Sequence, residues 1–273
     1  MAVARIWVDT DIALGSFRGD VDDGLALAVV AAAAQSGVVE LLGVSATAGN
    51  TDAVSAAHCA AALLQAAHCE SVSVVPSEGA AEAIAGLPAG TSLLALGPLT
   101  HVAEALRLDP EVARCSLRTV LTVRRPLTSP LLLLSDLNRR ADPRAAHFVM
   151  RQPWRELRIF PLDVVRKLRI GRTELERIGA TGLLGAYLAE HSERWLRRTR
   201  WRYPLRRSFP AWDLVAALDA VDSLSGRWDA SSRLVSFDPS AAFDKLLAWL
   251  EVTGTPPEAE SRNGSVGRFG KAS

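Results

Sequence analysis

Apolar runs of strand length alternate with apolar runs of helix length through the first half of the chain, and this alternation limits the fold more than any other feature. Arg5–Val8, Val39–Ser45, Val72–Val75, Ser92–Leu96 and Leu117–Val123 read as strands. Between them, Asp22–Gln35, Thr51–Ala67 and Leu99–Leu106 read as helices. Strands and helices alike are apolar nearly throughout, as expected of a parallel sheet covered on both faces. The pattern predicts an α/β fold with an open, doubly wound, mostly parallel sheet flanked by helices. In such a sheet ligands bind beyond the carboxyl ends of the strands, so the loops that follow strands hold the candidate chemistry.

The second half is more helical. Asp142 and Pro143 form an N-cap and first-turn pair for a helix over Pro143–Met150. Leu157–Phe160 reads as a late strand, and Leu183–Arg198, Trp212–Ala220 and Ser240–Leu250 as helices. No linker divides residues 1–253, which are read as one domain, and the Gly-, Pro- and Ser-rich stretch 254–273 as a flexible tail.

Bulk properties exclude several classes. A net charge of +1 gives no electrostatic case for nucleic acid or an anionic membrane. No apolar run reaches the roughly 20 residues that span a bilayer. Three scattered cysteines, Cys59, Cys69 and Cys115, form no Cys-x-x-Cys pair, and a reducing cytoplasm fits them best. The Arg-rich stretch Arg194, Arg197, Arg198, Arg200, Arg202, Arg206 and Arg207 carries interleaved Trp195, Trp201 and Tyr203. With the total charge balanced, it reads as a solvated face or subunit contact. His58, His68, His101, His147 and His191 stand beside no nucleophile motif and read as structural or surface residues.

The most informative segment is Asp9-Thr10-Asp11, a loop, then Asp20-Val21-Asp22-Asp23. It joins the end of the first strand to the start of the first helix, so its carboxylates should converge. Two unit charges about 4 Å apart repel by roughly 4 kcal/mol at an effective dielectric of 20. A cation, a proton or the helix dipole must offset that. An all-oxygen set points to a hard cation, Ca²⁺ or Mg²⁺.

Several blocks in order resemble the inosine–uridine-preferring nucleoside hydrolase family. Asp9, Asp11, Asp22 and Asp23, followed by Gly24-Leu25-Ala26-Leu27, are similar to its opening aspartate motif. Gly43 to Asn50 is similar to its strand ending Ala-Gly-Asn, and Leu96-Gly97-Pro98-Leu99-Thr100-His101 to its Gly-Pro-Leu-Thr segment. Asp136-Leu137-Asn138 with Asp142-Pro143-Arg144-Ala145-Ala146 matches a further block. Pro161 to Val164 and Trp212-Asp213-Leu214 match weaker late motifs. The resemblance implies Ca²⁺ held by Asp11, Asp23, Asp213 and the carbonyl of Leu96. Asp11 would also be the general base for water at the metal. Asp22, Asn50, Asp136 and Asn138 would hold the ribose, and the reaction would cleave the N-glycosidic bond of a ribonucleoside. A homodimer or homotetramer is implied, with a small nucleoside as the only partner.

The chain departs from that pattern in three places. Asp11 and Asp22 are eleven positions apart, against four in the family motif, with Gly15 and Gly19 able to turn the extra loop and Asp20 a possible substitute ligand. Trp212 stands where many members carry a histidine that protonates the leaving base; it can stack on a base instead, which favours purines. Thr122-Val123-Arg124-Arg125 stands where the family has a Met-Gly-Gly strand end, the connection to the Asp136 block is shortened and apolar at Leu131–Leu134, and Asp136 replaces a glutamate. Two other readings compete. A Mg²⁺-dependent phosphatase of the haloacid dehalogenase type would use Asp9 and Asp11. It needs a lysine between the middle strands, whereas the only lysines are Lys167, Lys245 and Lys271. A catalytically inactive nucleoside- or ribose-binding relative is the other.

Overall fold

The computed structural model describes residues 3–15, 19–122, 136–199 and 207–253. Arg124, Arg125, Leu131–Leu134, the Ser16–Arg18 part of the long loop, Arg200, Trp201, Arg202, Tyr203, Arg206 and the tail from Gly254 lie outside the described residues.

A six-stranded parallel sheet carries the fold. Its strands are β1 (Ala4–Thr10), β2 (Val39–Ala46), β3 (Val74–Val75), β4 (Ser92–Ala95), β5 (Ser116–Leu121) and β6 (Glu156–Pro161), in the spatial order β3-β2-β1-β4-β5-β6. The chain winds outward from β1 in one direction and then, from β4, in the other. The strand order therefore reverses between β1 and β4, which opens a crevice beyond their carboxyl ends. Register fixes that edge: Asp9 lies opposite Ser45 of β2 and Ala95 of β4.

Each strand of the centre is buried on both sides. Ile6 and Val8 point into one apolar cluster and Trp7 into another. The first cluster contains the helices Asp22–Gln35, Ala53–Ala66, Trp212–Ala220 and Pro239–Thr253; the second contains Ala80–Ala85, Thr100–Leu108 and Pro143–Val149. The Asp22–Gln35 helix is buried from Asp22 to Ala33 on every face, which explains why its sequence shows no amphipathic stripe. It packs along Trp212–Ala220, so two helix N-termini meet at the sheet's carboxyl edge.

The expected strands and long helices form, with ends displaced by a few residues. Short elements outside the predicted set also form: the helices Ala80–Ala85, Leu137–Ala141, Leu162–Val165 and Arg172–Gly179, and two antiparallel pairs. One pair joins β7 (Arg169–Gly171) to β8 (Ser208–Pro210), the other β9 (Gly226–Trp228) to β10 (Leu234–Phe237). Below the opposite edge of the sheet, Asp219 accepts from Arg118 Nε at 2.7 Å and from Arg158 at 2.5 Å, tying β5 and β6 to the Trp212–Ala220 helix. Among the described residues no helix is long and apolar enough to cross a membrane.

Candidate active site

β1 delivers Thr10 and Asp11 into the crevice. Asp11 Oδ2 accepts from the backbone N–H of Asn50 at 2.6 Å, while its Oδ1 is buried without a hydrogen-bond partner. The backbone closes tightly around this carboxylate. A Cβ on Gly49 would stand 2.0 Å from Asp11 Oδ2, and one on Gly97 3.2 Å from Oδ1. Only glycine lets the loops after β2 and β4 approach so closely.

The loop of the insertion does not displace the aspartates that follow it. Ile12, Ala13 and Leu14 are buried, and Gly15 turns at φ +88 against the ring of His191. Asp20 reaches the cleft wall, and Asp22 and Asp23 open the helix beyond it. Asp23 accepts from Thr10 Oγ1 at 2.5 Å and from Asn50 Nδ2 at 3.1 Å. Asp22 accepts from the backbone N–H of Trp212 at 3.1 Å, and the next residue, Asp213, completes the group.

Asp22, Asp23 and Asp213 bring carboxylate oxygens within 4.8 Å of one another, all buried. Asp11 adjoins this trio rather than belonging to it. Burial pushes the Asp11 carboxyl up to about 7, the repulsion of Asp22 and Asp9 adding to it against the Asn50 amide. Burial is also the main cause that raises Asp22, Asp23 and Asp213 well above the ordinary carboxylate range, with repulsion next, by Asp20 on Asp22, Asp11 on Asp23 and Asp22 on Asp213. The two helix N-termini offset part of that charge.

Asp22 and Asp213 open onto a cleft lined also by Asp20, Asn50, Asp136, Asn138 and Trp212, among others. No basic side chain is among its described lining residues. Trp212 is half-buried and forms part of the wall. Asp136 gives both its oxygens to backbone amides, Thr122 N at 2.6 Å and Arg139 N at 2.9 Å, clasping the end of β5 to the Leu137–Ala141 helix. Asn138, on that helix, donates from Nδ2 to the carbonyl of Leu96 at 2.5 Å.

Asp22, Asn50, Asp136, Asn138, Trp212 and Asp213 thus line one crevice, with Asp11 and Asp23 bonded to Asn50 beside it. Asp9 turns aside from it. Its Oδ1 accepts from Ser45 Oγ at 2.6 Å and contacts His101 Nδ1 at 3.0 Å, while His101 Nε2 meets Ser77 Oγ at 2.9 Å. Burial works against a charged His101, but the hydrogen bond to Asp9 and the charges of Asp9 and Glu104 together outweigh it, so the imidazole is raised above its ordinary value. It is a satisfied structural histidine. Thr10 is the contributor that the sequence reading passed over; a hydroxyl between two motif aspartates was the available signal. In the Arg-rich stretch, Trp195 is buried edge-on to Phe209 at 5.7 Å and Arg194 pairs with Glu190, so this turn of helix serves the core and the solvated face.

A family profile described as inosine–uridine preferring nucleoside hydrolase matches residues 76–256, about two thirds of the chain. The chain belongs to this family. The match begins after the aspartate segment, which carries the insertion. Among solved structures, the plant nucleoside hydrolase PpNRh1 is similar, with a TM-score of 0.71 and 16% identity over 92% of this chain and 99% of that one. A purine-preferring ribonucleoside hydrolase from Gardnerella vaginalis follows at 0.69 and 15%, over 92% and 99%. The type III effector XopQ, complexed with adenosine diphosphate ribose, gives 0.66 and 16%, over 93% and 95%. At such identity these likenesses concern the fold. No curated protein sequence matches the chain.

Proposed function

We propose that this family member hydrolyses the N-glycosidic bond of ribonucleosides, with purine nucleosides favoured and Ca²⁺ as cofactor. The observation that carries the reading is the meeting of Asp22, Asp23 and Asp213 at the switch point of the sheet, with Asp11 adjoining them and Asp22 and Asp213 facing a cleft walled by Trp212. Four buried carboxylates with no cationic side chain among the described lining residues, one of them with an oxygen lacking any hydrogen-bond partner, fit a hard divalent ion. Asp11, Asp23, Asp213 and the carbonyl of Leu96 would hold it, with Asp22 beside them. Bound there, Ca²⁺ supplies a Lewis acid that orients the sugar diol and makes a water more acidic.

The protein's own groups do the rest. Asp11 Oδ1, the oxygen that Asn50 leaves free, takes a proton from the attacking water as it bonds to the anomeric carbon. The C–N bond breaks towards the base, and the surrounding carboxylates stabilise the positive charge that develops on the ribose. Asp22, Asn50, Asp136 and Asn138 bind the sugar hydroxyls; Asn138 exchanges its bond to Leu96 for one to the sugar. Trp212 stacks on the base, and a purine leaves protonated on its own ring nitrogen, so no acidic side chain is required opposite it.

Release of free base from inosine, adenosine, guanosine, uridine and cytidine tests this. Purines are expected to be cleaved at least tenfold faster, and Trp212→Ala is expected to raise KM for them about tenfold. Equal rates on pyrimidines, or no effect at Trp212, would remove the stacking role. A second reading, a nucleoside- or ribose-binding protein without turnover, is favoured by one observation: no His, Lys or Tyr is among the described lining residues to protonate a leaving group. Tight nucleoside binding with no base release would select it.

A further inference from the structure

On the other side of the β5 terminus lies a second, basic cleft. Leu121 and Thr122 of the β5 end and Ile159 of β6 line it together with Ala146, His147 and Met150 of the Pro143–Val149 helix and its end. Arg139, Arg151 and Arg233 complete the lining, and no acidic side chain is among the described lining residues. Three guanidiniums around one concavity repel one another, and a low-dielectric floor strengthens that field.

Arg233 is the informative member. Its backbone is pinned: its N–H donates to Asp229 Oδ1 at 3.0 Å, and the preceding Ser232 carbonyl accepts from Ile159 N at 3.0 Å. The tight turn thereby holds the Arg233 side chain against the end of β6. Its Nε–H is buried with no hydrogen-bond partner. Buried donors are nearly always paired, and a guanidinium fork left without an acceptor is matched best by a ligand with several oxygens. Arg139 is fixed as well, donating from its guanidinium to the carbonyl of Thr122 at 3.2 Å.

We propose that this cleft binds a phosphoryl group. A phosphate carries about two negative charges near neutrality and offers several acceptor oxygens, which three arginines can share; a single carboxylate leaves most of those donors unmet. The cleft stands apart from the carboxylate site: Asp136, whose oxygens bind Thr122 N and Arg139 N, separates the two. The phosphoryl group comes either as free phosphate or as part of a phosphorylated sugar or nucleotide.

Isothermal titration of the full chain at low salt, with inorganic phosphate, ribose 5-phosphate and inosine 5′-monophosphate as separate probes, tests the proposal. Saturable binding is expected, weakened at least tenfold in Arg233→Gln and in Arg151→Gln, with loss of affinity as salt rises. Arg151 is exposed, so its variant reports on the cleft even if Arg233→Gln fails to fold. Equal affinity for all three probes marks the bare phosphoryl group as the ligand; tighter binding of either organic phosphate marks a phosphorylated metabolite. Absence of binding by all three, or binding unchanged in the exposed variant, would overturn the proposal.

Discussion

Glycine at position 49 shows how narrowly the centre is built. The loop after β2 delivers both the backbone N–H and the side-chain amide of Asn50 to two different aspartates, and it does so by passing against Asp11. In Gly49→Ala a Cβ only 2.0 Å from Asp11 Oδ2 must push the carboxylate or the loop away. We expect kcat/KM to fall at least tenfold and thermal stability to drop by a few degrees; unchanged kinetics would mean that Asp11 can move without consequence. The aspartates themselves were legible in the sequence, because acidic residues at a strand end and a helix start must converge in this topology. The pairing of His101 with Asp9 was not legible, since the partners are 92 positions apart and either residue alone reads as ordinary. The family resemblance singles out Asp136 as a ribose-holding residue, and it lines the cleft; its two bonds to backbone amides depend on where β5 ends, which no local pattern states.

Among the elements, the long ones announced themselves. Buried parallel strands and the all-apolar Asp22–Gln35 helix need continuous hydrophobic runs, and such runs are visible directly. The short helices and the β7–β8 and β9–β10 pairs span too few residues to show a period, and packing against the main sheet stabilises them. One long-range tie can be tested separately from the catalytic chemistry. Asp219, on the Trp212–Ala220 helix that also carries Asp213, neutralises Arg118 and Arg158 beneath the sheet. Removing it leaves the buried Arg118 guanidinium with only Ser92 Oγ at 2.9 Å and Glu156 at 4.0 Å, so Asp219→Ala should cost about 3 kcal/mol in a urea titration, the low end for a broken buried pair because those partners remain and Arg158 can reach water. A loss below about 1 kcal/mol would show that the tie contributes little to holding that helix.

At the scale of the whole molecule, the gathered carboxylates couple stability to pH and to cation. Asp11, Asp22, Asp23 and Asp213 are all raised in the folded protein, so the fold binds protons that the unfolded chain has released. The contribution is therefore fully present below the unfolded carboxylate range near 4 and is lost as pH rises through the folded value, about 7 for Asp11. In chelator the melting temperature should fall from pH 5 to pH 8, and saturating Ca²⁺ should abolish or reverse the slope, because the ion stabilises the charged forms. A flat profile in chelator would mean that the carboxylates are not confined together as described.

Base release from inosine, measured after chelation and again after Ca²⁺ is restored, in the wild-type chain and in Asp11→Asn, bears most directly on the hydrolase reading. Cleavage that disappears with chelator, returns with Ca²⁺ and falls by at least a hundredfold in Asp11→Asn is the predicted result. Folded, Ca²⁺-loaded wild-type protein that releases no base, or Asp11→Asn that cleaves at the wild-type rate, would contradict it.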